Sequence, residues 1–394
     1  MLELIQRGPP DPMFYLKKNA DADESEEKID LGVGIYRSED GRYQELEVYA
    51  PTTGDATFLR LAAETLFGKS CKALLSSRIS SVQTISGTGA NSLGAALIAD
   101  TFPEKKVYIG LPTWGNHVPI FQNAGLETAT YPYLDATKHA PNMASLVGAV
   151  RRAPHGSIFV LQGCCHNPTG VDLEPTQWQE LAQEMKAKDH LAFVDIAYQG
   201  LGKGLAEDAA GVHILVEAGL EMLVCQSFSK NFALYGERCG ALHVVSSKSL
   251  VAANVQDKLR SLIRHTYSSS PAYGSRLVKI VLEDEKSRRS WLDELCEMRG
   301  RLERNRWKLY QHLMELKTPG SWEHVVKDKG LFSCLALNAE QCRALVTKHH
   351  IHLPENGRIS IAGLSEANVE RMARAIDDVV CDVFGRESQV ESRL

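Results

Sequence analysis

Between about residues 58 and 245, short apolar runs alternate with longer segments of helical spacing. One helical segment covers residues 177–188, where Leu181, Ala182 and Met185 share a face. Short apolar runs bounded by turns are typical of buried strands, and their alternation with helices predicts a largely parallel sheet covered by helices. The strand candidates are residues 82–85, 107–110, 128–131, 158–161, 192–196, 222–226 and 241–245.

Beyond about residue 247 the pattern changes. Residues 285–317 form a long, charge-rich helical segment, followed by two predicted strands at 331–337 and 358–361 and a helix at 367–384. The apolar positions of the long helix share one stripe: Trp291, Leu295, Met298, Leu302, Leu309 and Leu313.

We therefore predict an α/β protein whose large domain has a mostly parallel seven-stranded sheet, plus a smaller α+β domain. We place an N-terminal arm and part of the small domain at residues 1–49, the large domain at 50–295 and the small C-terminal domain at 296–394.

Composition narrows the class of protein. The 394 residues are 44% hydrophobic and 24% charged, with a net charge of -5, which gives no basic excess for nucleic acid. No apolar run is long enough to span a bilayer. Nine scattered cysteines without a C-x-x-C pair favour reduced, buried thiols. No signal or transit pattern is evident at the start, so we expect a cytoplasmic protein, with the mitochondrial matrix as the alternative.

A glycine-rich segment, Ser86-Gly87-Thr88-Gly89-Ala90, follows the first strand candidate and opens a helix at about residue 90. Backbone N–H groups and the helix dipole there would suit a phosphate. The segment lacks the lysine of a Walker loop, and Gly94 comes too late for a dinucleotide fingerprint. A glycine turn without a ligand is the alternative.

The stretch from Ser227 to Arg238 places Lys230 just after a buried strand. Burial can lower the pKa of a lysine and leave a neutral, nucleophilic amine that forms a Schiff base. Ser227 and Arg238 could bind an anion. A solvated loop lysine is the ordinary alternative.

Two other strand candidates also end in polar side chains. Asp195 ends an apolar run and needs a positive partner if it is buried, unless it caps a helix. Cys164-Cys165-His166 precedes Asn167. Neighbours in sequence rarely form a catalytic Cys/His pair, so we interpret the thiols as packing residues and Asn167 as the site candidate.

The remaining candidates are an aromatic–imidazole cluster, two arginines and a group of histidines. Trp114 and His117 form the cluster, with a core tryptophan as the alternative. Arg264 and Arg358 could bind anions or form surface ion pairs. Finally, His349, His350 and His352 match no metal-binding spacing, so we expect surface residues and no metal site.

Taken together in this order, the segments S-G-T-G-A, W-G-N-H, H-N-P-T-G, D-x-A-Y-Q-G, S-x-S-K-N and Y-G-E-R resemble the aspartate aminotransferase family of pyridoxal-phosphate enzymes, of fold type I. The resemblance covers nearly the whole chain. It implies that the large domain binds pyridoxal 5'-phosphate and that the protein exchanges an amino group between aspartate and 2-oxoglutarate, giving oxaloacetate and glutamate.

The resemblance also implies roles for the cofactor-binding residues. Lys230 would hold the cofactor as a Schiff base and then move the proton between the substrate Cα and the cofactor C4′, while Asp195 would keep the pyridine nitrogen protonated. His117 would support Asp195. Trp114 would stack on the ring. The other predicted contacts are Asn167 and Tyr198 at the phenolic oxygen, and Ser86, Gly87, Thr88, Ser227, Arg238 and the partner subunit's Tyr49 at the phosphate.

For the substrate, the resemblance implies that Arg358 binds the α-carboxylate, with Gly34, Trp114 and Asn167 nearby. Arg264 would bind the side-chain carboxylate from the neighbouring subunit. Two arginines facing one small substrate imply dicarboxylic amino acids and their 2-oxo acids, and the shared sites imply a homodimer.

The sequence departs from the family pattern between Gly41 and Tyr49, where a helix and its connections are missing, and at Tyr267-Ser268-Ser269-Ser270-Pro271, which replaces Y-S-N-P-P. Two alternatives therefore stay open. One is a related transaminase with aromatic or cysteine-sulfinate specificity. The other is a pseudoenzyme impaired by the short N-terminal region, against which the intact Lys230, Asp195, Arg238 and Arg358 count.

Overall fold

The computed structural model describes residues 1–8, 22–25 and 51–391, with residues 383–391 described as backbone only. The strands, in chain order, are β1 (Ile79–Ile85), β2 (Val107–Leu111), β3 (Thr128–Pro132), β4 (Leu134–Asp135), β5 (Ala140–Pro141), β6 (Ile158–Gln162), β7 (Leu191–Ile196), β8 (Met222–Ser227), β9 (Cys239–Val245), β10 (Phe332–Cys334) and β11 (Arg358–Ser360).

The α-helices are α1 (Ala56–Phe67), α2 (Lys72–Leu75), α3 (Ser86–Thr101), α4 (His117–Asn123), α5 (Met143–Arg152), α6 (Pro175–Ala187), α7 (Leu205–Asp208), α8 (Ala210–Glu217), α9 (Ser249–Thr266), α10 (Ala272–Glu283), α11 (Glu285–Glu315), α12 (His324–Lys327), α13 (Ala339–His349) and α14 (Val369–Glu391). Short 3-10 helices cover Leu2–Leu4 and Ile361–Gly363. Within the described residues, no helix combines the length and apolar character needed to cross a membrane.

The central sheet has seven strands in the order β1-β9-β8-β7-β6-β2-β3. Strand β9 is antiparallel to both neighbours, and the other neighbouring pairs are parallel. The mostly parallel seven-stranded sheet predicted from the sequence is therefore confirmed. Its parallel strands share one carboxyl edge, where ligands collect in such folds.

Both faces of the sheet are buried, as the continuous apolar runs predict. In β7, Ala192, Val194 and Ile196 join one hydrophobic core, whereas Leu191 and Phe193 join a second core. This alternation follows from the two-residue period of a strand. Helices α1 and α6 cover the first face, and α3 and α9 cover the second.

Helix α11 contributes to two hydrophobic cores. Trp291 and Leu295 pack in a core of the sheet, whereas Leu302, Leu309 and Leu313 pack in a third core, built by the chain that follows. The predicted stripe is therefore confirmed at these positions. It is wrong at Met298, which is 41% exposed and lies between the two cores.

Helix α11 is tied at one end to the Lys230 segment and at the other to the pair β10–β11. The Trp291 indole N–H donates to the Asn231 carbonyl at 2.8 Å, and its ring stacks on Phe232 at 4.5 Å. Further along the helix, the Arg306 side chain is only 2% exposed and donates to three backbone carbonyl oxygens, those of Val325, Gly330 and Phe332, at 2.8–2.9 Å.

A substitution at Arg306 tests how much these three hydrogen bonds contribute to stability. Arg306→Lys keeps the charge but cannot supply the planar fork that reaches three carbonyls. We expect it to lower the free energy of unfolding by about 2–4 kcal/mol, measured by urea denaturation. The control is Arg304→Lys on the exposed side of the same helix, which should change little. Equal losses for both variants would contradict the assigned role.

Candidate active site

A cleft at the carboxyl edge of the sheet collects most of the predicted site residues. Ser86 follows β1, Trp114 follows β2, Asp195 lies near the end of β7 and Ser227 ends β8. The cleft is lined by Ser86, Gly87, Thr88, Trp114, Gln162, Cys164, Asn167, Asp195, Ala197, Tyr198, Ser227, Ser229, Lys230, Tyr235 and Arg238.

Asp195 is the buried carboxylate of this cleft, with 9% of its surface exposed. Its Oδ2 lies 3.0 Å from Nε2 of the fully buried His117. Its Oδ1 is buried with no hydrogen-bond partner among the described residues. Because such an atom costs about 1–3 kcal/mol when unpaired, the arrangement favours a ligand donor at Oδ1.

Lys230 lies in the turn after β8, with its Nζ 5.0 Å from the centroid of the Tyr198 ring. Burial lowers the pKa of Lys230, and the charge of Arg238 lowers it further, against the opposing effect of Asp195. The amine therefore loses its proton at a lower pH than an ordinary lysine, as a nucleophile or proton acceptor requires.

An anion cradle lies at the start of α3. Ser86 begins this helix, which therefore starts earlier than the predicted position at about residue 90. Arg238 donates a hydrogen bond to the Ser86 hydroxyl, and the Ser86 N–H donates to the Arg238 carbonyl at 2.9 Å. A Cβ at Gly87 would lie 3.0 Å from Cβ of Ser227, so glycine allows this close approach. Hydroxyls, a guanidinium and a helix N-terminus together suit a phosphate.

Asn167, Tyr198 and Arg358 lie together on the side of the cleft that faces the third core. Arg358 Nη1 donates to Asn167 Oδ1 at 3.3 Å, and its guanidinium carbon lies 4.7 Å from the Phe332 ring centroid. Burial, and secondarily the charge of Asp195, raise the pKa of the Tyr198 hydroxyl, while Asn167 hydrogen-bonds to it. Tyr198 is therefore a neutral hydrogen-bonding group at physiological pH.

Trp114 lies in the wall of the cleft, and its ring meets the His117 ring edge-on, 5.3 Å away at 90°. Arg264 is not among the lining residues. It lies exposed in the last turn of α9, and its Nη1 donates to the Ser268 hydroxyl at 2.5 Å. Gly34, Tyr49 and the short segment between Gly41 and Tyr49 lie outside the described residues.

The cysteine–histidine segment is a packing element. Cys164 and Cys165 are buried, and the hydrogen bond with Cys165, together with burial, raises the pKa of the Cys164 thiol. Burial lowers the pKa of His166 to about 3. His166 Nδ1 lies 2.9 Å from the Thr169 hydroxyl, and the ring stacks on Tyr133 at 4.1 Å. The interpretation of these thiols as buried residues is confirmed.

One group of possible metal ligands occurs within the described residues, Cys164, Cys165 and Asp208. Both carboxylate oxygens of Asp208 already accept backbone N–H groups, from Gly200, Gly202 and Lys203. Elsewhere, His349 bonds to Asp378 at 2.8 Å in an exposed position.

Sequence reasoning missed Gln162 and Tyr235. Gln162 is the last residue of β6 and lies in register with Asp195 on the neighbouring strand. Its place at the carboxyl end of a parallel strand could have indicated it. Tyr235 lines the cleft, and its carbonyl accepts from Arg238 at 2.7 Å.

A family model and individual relatives both match this chain, and they point to the same family. The family model described as aminotransferase class I and II matches residues 26–376. The chain belongs to this aminotransferase family. It is 42% identical to the aminotransferase tasG of Hapsidospora irregularis over 95% of both chains.

Two solved aminotransferase structures superpose on the chain with a TM-score of 0.83. The cytoplasmic aspartate aminotransferase of Saccharomyces cerevisiae is 37% identical, with 96% of this chain and 98% of that chain covered. The aromatic-amino-acid aminotransferase of Burkholderia pseudomallei, covalently bound to pyridoxal phosphate, is 34% identical, with 96% and 99% covered. The resemblance to the aspartate aminotransferase family is confirmed.

The charges around Lys230 in the aminotransferase cleft predict how its pKa responds to substitution. Asp195→Asn removes a charge that raises this pKa and should lower it, whereas Arg238→Gln removes a charge that lowers it and should raise it. Reductive methylation across a pH series, read by peptide mass spectrometry on cofactor-free protein, gives the midpoint. The exposed Lys69 is the internal reference, and the same direction of shift in both variants would contradict the assignment.

Proposed function

We propose that this aminotransferase uses pyridoxal 5'-phosphate to exchange the amino group between L-aspartate and 2-oxoglutarate, giving oxaloacetate and L-glutamate. The observation that carries the proposal is the buried Asp195 carboxylate, whose free oxygen shares a cleft with Lys230. The resemblance to aspartate aminotransferases over 95% of the chain supports the substrate.

The described residues fit pyridoxal phosphate. The unpartnered Oδ1 of Asp195 can accept from a protonated ring nitrogen. The cradle of Ser86, Gly87 and Arg238 can hold the phosphate, with Thr88 and Ser227 beside it. Lys230, which lines the same cleft, would be the residue that holds the cofactor covalently. When bound, the cofactor supplies a conjugated ring that withdraws electrons from the amino acid.

The protein's own groups would divide the work as follows. Asp195 holds a proton at the ring nitrogen, and His117 orients Asp195. Once the substrate amine has displaced it from the cofactor, the free Nζ of Lys230 would take the proton from the substrate Cα, which its lowered pKa favours. Tyr198 and Asn167 hydrogen-bond the phenolic oxygen, and Trp114 covers the ring. Asn167 also accepts a hydrogen bond from Arg358. This bond connects the cofactor side of the cleft to the substrate side.

For the substrate, Arg358 would bind the α-carboxylate in the planar, two-pronged geometry that arginine favours, with Gly34 close by. In the partner copy of a homodimer, Arg264 would bind the second carboxylate, and Tyr49 would reach the phosphate across the interface. The division into residues 1–49, 50–295 and 296–394 belongs to the same proposal, as does the cytoplasmic location.

A second candidate is transamination of aromatic amino acids. The Burkholderia aromatic-amino-acid aminotransferase superposes with the same TM-score as the yeast aspartate enzyme. The proposed role of Arg264 favours the first candidate, because a cation in the side-chain site would bind a carboxylate better than a phenyl ring.

The test is a half-reaction on protein reconstituted with pyridoxal phosphate. We expect aspartate alone to remove the cofactor's visible absorbance and to release about one oxaloacetate per site, at a rate well above that with phenylalanine. An absent chromophore would exclude the cofactor assignment. A much faster response to phenylalanine would support the aromatic candidate instead.

Arg264→Gln sharpens the same test. Losing a charge-assisted pair of hydrogen bonds should lower kcat/KM for aspartate by about 30–1000-fold, equivalent to about 2–4 kcal/mol. The value for phenylalanine should change by less than about threefold. Arg151→Gln, on the exposed side of α5, is the matched control. Equal losses for both substrates would refute the assigned contact.

A further inference from the structure

Gln162 holds a position between the two halves of the cleft that no assigned role explains. Its side chain forms three hydrogen bonds. Oε1 accepts from the Asn167 N–H at 2.8 Å, and Nε2 donates to the Asn167 carbonyl at 3.0 Å and to the Thr113 hydroxyl oxygen at 3.3 Å. The amide therefore bridges the segment after β2 and the segment after β6.

These contacts fix which way the Gln162 amide points. A backbone N–H can only donate, so the atom facing the Asn167 nitrogen must be the amide oxygen. The amide nitrogen then faces the Asn167 carbonyl and Thr113, and its two hydrogens are both used. Thr113 Oγ1 is consequently an acceptor toward Gln162.

The same reasoning extends to His117. Its Nε2 lies 3.0 Å from Asp195 Oδ2, and an ionised carboxylate only accepts, so Nε2 carries a hydrogen. Its Nδ1 lies 2.7 Å from Thr113 Oγ1. Since Thr113 accepts from Gln162, its own hydrogen is directed to Nδ1, and within the described part of the chain this hydroxyl has no second acceptor.

We propose that Gln162 is a positioning residue: as an uncharged amide it keeps the His117 proton on Nε2, facing Asp195, while it holds the backbone of Asn167 in place. The link to catalysis rests on the proposed function, in which Asp195 faces the cofactor's ring nitrogen, and Asn167 bonds the phenolic oxygen and contacts the substrate-binding Arg358. A continuous hydrogen-bonded series then joins the two binding functions: Asp195, His117, Thr113, Gln162, Asn167 and Arg358.

The physical consequence is that charge at position 162 would change the protonation of His117. Gln162→Glu has nearly the same shape, but an ionised carboxylate accepts and cannot donate. The Thr113 hydrogen would turn toward the new carboxylate, and a lone pair of Thr113 would face Nδ1 of His117. The ring would then take up a second proton, and the Asn167 carbonyl would lose its donor.

Nitrogen NMR of full-length protein with 15N-labelled histidine tests this directly, with and without pyridoxal phosphate. The His117 signals are assigned by their loss in His117→Gln. We expect one protonated and one unprotonated ring nitrogen in the parent protein, and a shift of the Nδ1 signal to the protonated range in Gln162→Glu. The matched control is Gln122→Glu, since Gln122 also donates to a threonine hydroxyl, that of Thr128, at 3.3 Å in an exposed position. It should leave the His117 signals unchanged.

Two results would overturn the proposal: two protonated ring nitrogens in the parent protein, or unchanged His117 signals in Gln162→Glu. If Gln162→Glu does not fold, Thr113→Val removes, at similar volume, the hydroxyl through which Gln162 acts. It should shift the Nδ1 signal by loss of this hydrogen bond, and an unchanged signal there would also refute the role. These NMR measurements do not require the enzyme to turn over substrate. A protein that fails to transaminate aspartate but shows the expected signals would contradict the proposed function and leave the His117 assignment intact.

Discussion

The bond between His117 and Asp195 is the interaction on which the cleft depends. A carboxylate with 9% of its surface exposed is costly to bury unless its oxygens are paired. His117 satisfies one oxygen at 3.0 Å, and the other is left for a donor in the cleft. In the proposed function, a protonated heterocycle would donate to this second oxygen. Binding would then relieve the cost of leaving it unpaired.

The sheet explains why this carboxylate meets its neighbours. Because six of the seven strands run the same way, residues at their carboxyl ends come together without being close in sequence. Asp195 on β7, Ser227 on β8 and the start of α3 after β1 therefore meet at one edge. The antiparallel β9 lies between β8 and β1 and brings Arg238, just before it, beside Ser86.

A second constraint aligns the sheet with the Arg358 side of the cleft. Helix α11 packs against the Lys230 segment through Trp291 and holds the backbone of Phe332 through Arg306. The Phe332 ring in turn lies against the Arg358 guanidinium. One long helix therefore contacts both the segment of Lys230, the amine proposed to act on the substrate, and the strand pair of Arg358, the arginine proposed to bind it.

The architecture could be predicted from the sequence because the apolar runs and the motif residues that follow them are both local features. Apolar runs at regular spacing indicate a buried parallel sheet, and motif residues just after those runs must lie at its carboxyl edge. It could not show the first turn of α3, since Ser86 and Gly87 are poor helix formers that tertiary contacts hold in place. It misplaced Met298 because a stripe of constant period does not reveal where one core ends and the next begins. Gln162 was missed because its role depends on Thr113 and Asn167, which only the folded sheet brings within reach.

The central claim is that Asp195 keeps a proton on the ring nitrogen of bound pyridoxal phosphate. The most direct measurement is 15N NMR of the full-length protein loaded with cofactor labelled at that nitrogen. A protonated signal across neutral pH in the parent protein, lost in Asp195→Ala, is the result we expect. An unprotonated nitrogen in the parent protein, or the same signal in both proteins, would contradict the account.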